Sequence, residues 1–85
     1  MEINEFLIED VFQILGKGIV VTGRVLSGRV RAGMRTNVLG QEVLLKKIET
    51  FKGTLELAQA NEQVGLLLEG VDKKNLVRGE TLIFN

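Results

Sequence analysis

The residues of this chain that could do acid–base chemistry are its carboxylates, because the sequence contains no His, Cys or Tyr. The missing types include the commonest general base, the strongest nucleophile and the commonest metal ligands. Two carboxylate pairs remain as an acid and a base, Glu9 with Asp10 and Glu49 with Glu69. Adjacent residues on a strand face opposite sides, and nothing in the sequence brings the second pair together. We therefore expect no enzyme, no catalytic residue and no metal site.

A lysine flanked by glycines, Gly16-Lys17-Gly18, invites comparison with a phosphate-binding loop. A P-loop requires a glycine five residues before its Gly-Lys pair and Ser or Thr directly after it, and here Val11 and Gly18 occupy those positions. The dinucleotide fingerprint fails as well, because Val21 stands in place of its third glycine. We expect no cofactor, and we interpret the segment as a hairpin loop.

Glu49 is the carboxylate with the most unusual surroundings. It lies in an apolar, β-branched segment near Phe51, where a carboxylate costs free energy unless it has a partner. Glu49 is therefore a candidate acceptor for a hydroxyl group of a ligand. The alternative is a carboxylate on the solvent-facing side of an edge strand.

The basic residues are unevenly distributed, although the chain has eleven basic and eleven acidic residues. Residues 11–41 contain no acidic residue, and their basic residues form a candidate phosphate-facing surface that consists of Lys17, Arg24, Arg29, Arg31 and Arg35. The alternative is that these side chains occupy solvated, outward positions of alternating strands. Zero net charge gives no general attraction to nucleic acid or to an anionic membrane.

The elements that position these residues are predicted to be strands. Ten Gly and no Pro divide a sequence rich in Val, Ile and Leu into segments too short for most helices. The predicted strands are residues 6–15, 19–30, 34–39, 43–51, 64–68, 80–84 and, briefly, 54–57. Residues 58–62 are predicted as a polar connection, and residues 72–76 as a helical turn with Asp72 at its N-cap.

The first predicted strand has apolar residues on both of its faces. Phe6, Ile8, Phe12 and Ile14 share one parity, whereas Val11 has the other, so both faces of this strand are expected to be covered. Several short strands at regular spacing favour a sandwich or a barrel, and a closed sheet has no exposed edges. The sequence predicts an all-β protein, a closed six- or seven-stranded antiparallel barrel, with residues 1–85 as one domain.

The sequence has no apolar run of 18 residues. Its acidic beginning lacks the basic and apolar regions of a signal peptide. We therefore expect a cytoplasmic chain that does not contact a membrane.

Several segments of the chain resemble the second domain of translational GTPases, elongation factor Tu above all. The resemblance rests on residues 8–12, IEDVF, on residues 16–25, GKGIVVTGRV, and on residues 60–68, ANEQVGLLL, and it continues through residues 27–28, 31–33, 48–51, 70–71 and 78–80. In that family the domain is an antiparallel barrel of six or seven strands. In elongation factor Tu a pocket on it receives the terminal adenosine of aminoacyl-tRNA.

The resemblance implies a non-catalytic binding module of translation, with tRNA, the ribosome or a translational GTPase as its partner and no small-molecule substrate. It also implies a pocket for aminoacyl-adenosine, formed by Phe12, Ile14, Gly16, Glu49 and Leu67. Glu49 would accept a hydrogen bond from the ribose, and the apolar side chains would pack against base and sugar. Because the chain runs from Met1 to Asn85, we expect neither the GTPase domain nor the third barrel of elongation factor Tu.

Two residues depart from the family pattern. Lys17 and Glu69 stand where elongation factor Tu usually has arginine. The reversed charge at Glu69 would alter tRNA contact or the docking of a neighbouring domain. A second interpretation therefore stays open, a protein-interaction or self-assembly barrel with no role in RNA binding, in which a homo-oligomer is expected.

Overall fold

The computed structural model describes residues 2–85 and contains nine strands. The strands are β1 (Asn4–Ile14), β2 (Gly18–Ser27), β3 (Arg29–Arg31), β4 (Arg35–Val38), β5 (Gln41–Thr50), β6 (Gly53–Leu55), β7 (Leu57–Gln59), β8 (Gln63–Glu69) and β9 (Thr81–Phe84). All of the strand pairings are antiparallel.

Six strands form a nearly closed barrel in the order β4-β5-β8-β2-β1-β9. The two end strands meet at Arg35 and Asn85, whose backbone amides each donate to the other's carbonyl, at 2.9 and 2.8 Å. β6 adds to the same sheet by pairing with β5, whereas β3 and β7 form a separate two-stranded sheet. The prediction of an all-β, closed antiparallel barrel of six or seven strands is confirmed.

The interior of the barrel is filled by alternate residues of the strands, because successive side chains on a strand point to opposite faces. The largest fully buried side chains are Phe6, Phe84, Ile8, Leu45, Ile48 and Leu66. Burial of apolar surface stabilises the fold, at about 1.5–3 kcal/mol for each large side chain. With no cysteine in the chain, this packing is the main source of stability.

The strand pairing shifts register at three places, one of which leaves the extra residue Leu26 on β2, and the other two are β-bulges on β1 and β5. The register of β1 shifts between Ile8 and Asp10, and that of β5 shifts between Leu45 and Lys47. Each bulge adds one residue to its strand, so residues beyond it point to the opposite face from the one that parity predicts. On β1 the interior residues are therefore even-numbered up to Ile8, and the odd-numbered Val11 packs against the core.

Three predicted segments differ from the structure, and one of them, the strand predicted at 54–57, is divided at Glu56 between β6 and β7. The strand predicted at 19–30 is divided at Gly28, whose φ of 64° is favoured by glycine and where a Cβ atom would collide with the side chain of Asn4. The polar connection predicted at 58–62 begins with the end of β7. Ala58 is completely buried and pairs with Val30, so interior packing here outweighs the weak apolar pattern of the segment.

A short 3₁₀ helix, Lys73–Asn75, precedes β9. Asp72 lies at its N-cap position in an extended conformation, as predicted, but its side chain makes no capping hydrogen bond. Across residues 2–85, no helix has the length and hydropathy needed to cross a membrane.

Candidate functional site

Four neighbouring strands, β5, β8, β2 and β1, present apolar side chains on the outside of the barrel. Cross-strand pairing places Phe12 opposite Val20, and Val20 opposite Leu67. Val20 and Leu67 are only 7% and 6% exposed, although they do not belong to the cluster that fills the interior. Phe12 and Ile14 are 44% and 42% exposed. We call Phe12, Ile14, Val20 and Leu67 the outer patch.

The bulges on β1 and β5 determine which side chains of these strands point outward on this face. Because of the extra residue at Glu9, Phe12 and Ile14 point outward although they share the parity of the interior Phe6 and Ile8. The bulge in β5 acts in the same way. Ile48 lies in the interior and Glu49 lies on the outside, opposite Gly65 of β8.

Glu49 forms an ion pair with Lys17. The Nζ atom of Lys17 lies 2.6 Å from Oε1 and 2.8 Å from Oε2 of Glu49, and the side chains are 38% and 28% exposed. β5 is not an edge strand at this point, because it pairs with β8 on one side and with β6 on the other. Glu49 is therefore a partly shielded carboxylate that already has a cationic partner.

A groove of about 770 Å³ opens beside the outer patch, between the β5–β6 hairpin and the beginning of β8. Its lining includes Val20, Thr22, Glu49, Leu55, Gln63 and Gly65. Gly65 widens the groove, because it has no side chain at this position. A Cβ atom there would contact the groove wall, at 3.5 Å from Cγ1 of Val20 and 3.9 Å from Cγ2 of Thr22. At the rim, Gln63 donates to Glu9 at 2.6 Å, and Phe51 is 96% exposed.

The groove was not predicted from the sequence. Its lining comes from four segments that meet only through strand pairing. One local signal was available, Gly65 in the middle of an apolar strand, since glycine inside a strand often marks close approach of a ligand or of another backbone.

The structure brings most of the predicted pocket residues onto one face. Phe12, Ile14 and Leu67 belong to the outer patch, and Glu49 lies between the patch and the groove. Gly16 lies in the β1–β2 loop with a φ of 79°, and a Cβ atom at this position would have no neighbouring atom within 4 Å. Of these five residues, Glu49 alone lines the groove.

The basic residues predicted as a phosphate-facing surface are distributed along the molecule. Arg24 lies on β2, seven residues from Lys17, which corresponds to about 23 Å along an extended strand. Arg29 and Arg31 share one face of β3. Arg35 on β4 lies 3.4 Å from a carboxylate oxygen of Glu42, so two of the five basic residues, Lys17 and Arg35, are paired with glutamates.

The carboxylates that were considered as acid–base pairs have separate surroundings. Glu49 pairs with Gly65 across the strands, and Glu69 lies four residues farther along β8, about 13 Å away. Glu69 instead lies 3.6 Å from Lys46. Asp10 accepts a hydrogen bond from the amide of Val11 at 3.0 Å. Within residues 2–85, no group of three acidic, His or Cys side chains could hold a metal ion.

The fold and this face define a class, small antiparallel barrels with a ligand-sized groove and an outward apolar patch. The family model for elongation factor Tu domain 2 matches residues 18–83, and the chain belongs to that family.

Two solved structures are similar to the chain. The apo form of translation elongation factor SelB from Methanococcus maripaludis aligns with a TM-score of 0.86 and 32% identity, over 95% of this chain and 18% of its own length. A bacterial selenocysteine-specific elongation factor, EF-Sec, aligns with a TM-score of 0.85 and 25% identity, over 96% of this chain and 14% of its own. The chain thus spans less than a fifth of either relative.

Proposed function

We propose that this barrel is a non-catalytic binding module of translation that receives the 3′-terminal aminoacyl-adenosine of a charged tRNA. The ligand lies on the outer patch, beside Glu49. Membership in the elongation factor Tu domain 2 family supports this proposal, as does the similarity to two elongation factors. The observation that supports it most is the position of Glu49, a partly shielded carboxylate next to outward-facing apolar side chains.

The chemistry of this face suits the end of an RNA strand. Proteins usually hold single-stranded RNA by packing side chains against unstacked bases and by hydrogen bonds to ribose hydroxyls. Phe12 and Ile14 retain enough exposed surface to pack against an adenine, and a carboxylate oxygen of Glu49 accepts a hydrogen bond from the ribose. Packing of a base against side chains contributes about 1–3 kcal/mol. We therefore expect a weak complex for the isolated barrel, with a Kd on the order of 1 mM.

The proposal is tested by titrating the isotope-labelled barrel with an adenosine analogue that carries an amide-linked aminoacyl group at its 3′ position. The amide replaces the labile ester, and the neighbouring ribose hydroxyl is kept. The expected result is saturable chemical-shift change at Phe12, Glu49 and Leu67. No change at these residues at millimolar concentrations of the analogue would contradict the proposal.

Substitution of Glu49 tests the role of its charge. Glu49→Gln is expected to weaken binding of the analogue about fivefold, because it replaces a hydrogen bond to a charged group, worth about 1.5–3 kcal/mol, by one to a neutral acceptor, worth about 0.5–1.5 kcal/mol. The matched control is Glu42→Gln, which removes the same charge from the exposed pair with Arg35, seven residues from Glu49 and about 23 Å away along β5. An equal loss of affinity in both variants would argue against a specific role for Glu49.

A second candidate function is protein interaction or self-assembly. Leu15, Leu39 and Phe51 are 102%, 82% and 96% exposed, and all three lie at turns between strands. Of the three, Phe51 borders the groove beside Leu55, and a contiguous exposed apolar surface of this kind is suited to docking on another protein. Sedimentation velocity over a concentration series tests self-assembly, and a molecular mass that stays monomeric throughout would leave this candidate without support.

A further inference from the structure

Lys17 reaches Glu49 across an intervening strand. Lys17 directly precedes β2, Glu49 lies on β5, and β8 lies between these two strands in the sheet. Neighbouring strands are about 4.8 Å apart, so the backbones of β2 and β5 are separated by about 10 Å. The aliphatic stem of Lys17 therefore passes over the outer surface of β8, where Leu67 points outward.

This path bears on the burial of Leu67, one member of the outer patch. Leu67 is only 6% exposed although it is outside the interior cluster, so other groups must cover it from above. The β1–β2 loop, which contains Lys17, ends at Gly18 beside Leu67. A Cβ atom on Gly18 would be 3.5 Å from Cδ1 of Leu67. Lysine stems often lie along apolar surface while the ammonium group reaches a polar partner. The loop therefore covers part of Leu67, and a Lys17 stem that crosses β8 would add to this cover.

We propose that the Lys17–Glu49 pair is a strap over the outer patch, and that Lys17 is a positioning residue of the binding site. Without ligand, Lys17 covers Leu67 and engages both oxygens of Glu49. When the ligand binds, Lys17 leaves the carboxylate, Glu49 accepts from the ribose, and the patch is uncovered for the base. The identity of the ligand rests on the proposed function, whereas the strap itself rests on the geometry of the pair.

Two features allow Lys17 to move away from Glu49, the glycines on either side of Lys17 and the exposure of the ion pair. Gly16 and Gly18, on either side of Lys17, have φ values of 79° and 128°, which glycine adopts without steric cost. Both partners of the pair are more than a quarter exposed, and ion pairs at exposed positions are weak. The strap therefore opens at a small cost in free energy.

In the proposed mechanism Lys17 and the ribose of the ligand compete for Glu49. The salt dependence of ligand affinity distinguishes this competition from ordinary binding of nucleic acid. Salt screens an exposed ion pair, so a higher salt concentration weakens the strap. An uncharged N-acetylaminoacyl-adenosine amide is then expected to bind more tightly as salt is raised. Ligands that are held through phosphate contacts behave in the opposite way.

The experiment compares the wild type with Lys17→Ser, which removes the strap, and with Lys17→Arg, which restores a long cationic side chain. The control is Lys46→Ser on β5, which removes the same charge from the exposed pair with Glu69 of β8. The first measurement is paramagnetic relaxation of the Val20 and Leu67 methyl groups by an uncharged gadolinium chelate, without ligand. The second is the affinity for the N-acetylaminoacyl-adenosine amide.

The strap predicts relaxation of the Leu67 methyl groups at least about doubled in Lys17→Ser, and close to that of the wild type in Lys17→Arg and Lys46→Ser. It also predicts that the analogue binds Lys17→Ser about two- to fivefold more tightly than the wild type, the range expected for release of an exposed pair. Equal methyl relaxation in the wild type and Lys17→Ser would overturn the strap.

The binding measurement separates the two proposals. If Lys17→Ser uncovers the methyl groups but binds the analogue no more tightly than the wild type does, competition for Glu49 is overturned. If the methyl groups are uncovered and no variant binds the analogue, the strap is supported and the proposed function is overturned.

Discussion

Gly23 on β2 and Gly65 on β8 occupy neighbouring cross-strand pairs, but packing excludes a side chain at only one of them. A Cβ atom on Gly23 would collide with the backbone carbonyl of Leu7 and lie 3.0 Å from the ring of Phe6. A Cβ atom on Gly65 would have only ordinary van der Waals neighbours, the nearest at 3.5 Å. The first glycine is therefore a requirement of the fold, and the second keeps the groove open.

Gly23→Ala is expected to destabilise the barrel by about 3 kcal/mol, because a backbone atom cannot move aside without shifting a strand. Gly65→Ala is the matched control and is expected to change the free energy of unfolding by less than about 1 kcal/mol. Urea denaturation of both variants measures the difference. Similar stabilities for the two variants would show that β1 and β2 can separate at this point.

The bulge at Glu9 is the element that decides which side chains of β1 face outward. Sequence alternation assigned Phe6, Ile8, Phe12 and Ile14 to the same face, whereas the structure has the first two inside and the last two outside. The carbonyl of Glu9 accepts a hydrogen bond from Nε of Arg78 at 3.1 Å, which supports the irregular backbone. A regular strand would place Val11 outside and Phe12 inside.

Deletion of Glu9 is expected to remove the bulge. In the resulting regular strand, the two halves of β1 could no longer both have their apolar residues on the interior side. The half beyond the deletion would have to expose Val11 and bury Phe12, so we expect a loss of several kcal/mol in the free energy of unfolding, or failure to fold. Glu9→Ala keeps the extra residue and is expected to cost less than about 1 kcal/mol. Circular dichroism and urea denaturation provide the measurement, and a deletion variant as stable as Glu9→Ala would refute this role of the bulge.

Strand locations could be predicted from the sequence because alternation and glycine positions are local signals. The turn at Gly16–Gly18 follows from the same kind of signal, whereas the strand predicted to reach Leu39 ends at Val38, because Leu39 and Gly40 form the turn. The bulges were not predicted, because one extra residue in an apolar strand leaves no distinct pattern. The Lys17–Glu49 pair was not predicted either, since its partners are 32 residues apart and meet only through the order of the strands.

The predicted pocket residues came from family resemblance, and the structure explains why four of them occur together. Glu49 and Leu67 lie on the adjacent strands β5 and β8, and Phe12 lies on β1, which β2 separates from β8, with Ile14 after it on the same face. The five residues predicted as a basic surface were grouped by sequence distance alone. Lys17 precedes β2, and Arg24 lies seven residues farther along, about 23 Å on an extended strand, so closeness in the sequence is not closeness in space.

At the scale of the whole molecule, closure of the barrel rests on the backbone pair between Arg35 and Asn85. The amide of Arg35 donates to Asn85, on the side of β4 that faces away from β5. Without that pair, β4 and β9 would be two open edges of a six-stranded sheet.

Arg35→Pro removes the amide that closes the barrel and is expected to cost about 1–3 kcal/mol of the free energy of unfolding. Amide hydrogen exchange at Asn85 is expected to accelerate, because its own bond to residue 35 loosens at the same time. The control, Arg35→Ala, keeps the amide and removes only the exposed contact with Glu42, so it is expected to change stability by less than about 1 kcal/mol. Unchanged exchange at Asn85 in Arg35→Pro would show that other contacts hold the end strands together.

The separation of the outer patch from the interior has a consequence for how this barrel diversifies. Phe12, Ile14 and Lys17 contribute little to the packing that keeps the chain folded, because they lie outside the interior cluster. Substitutions at these three positions are free to alter ligand preference while the scaffold persists. The same barrel can therefore acquire new specificities over evolution, or in a randomised library, without first having to be restabilised.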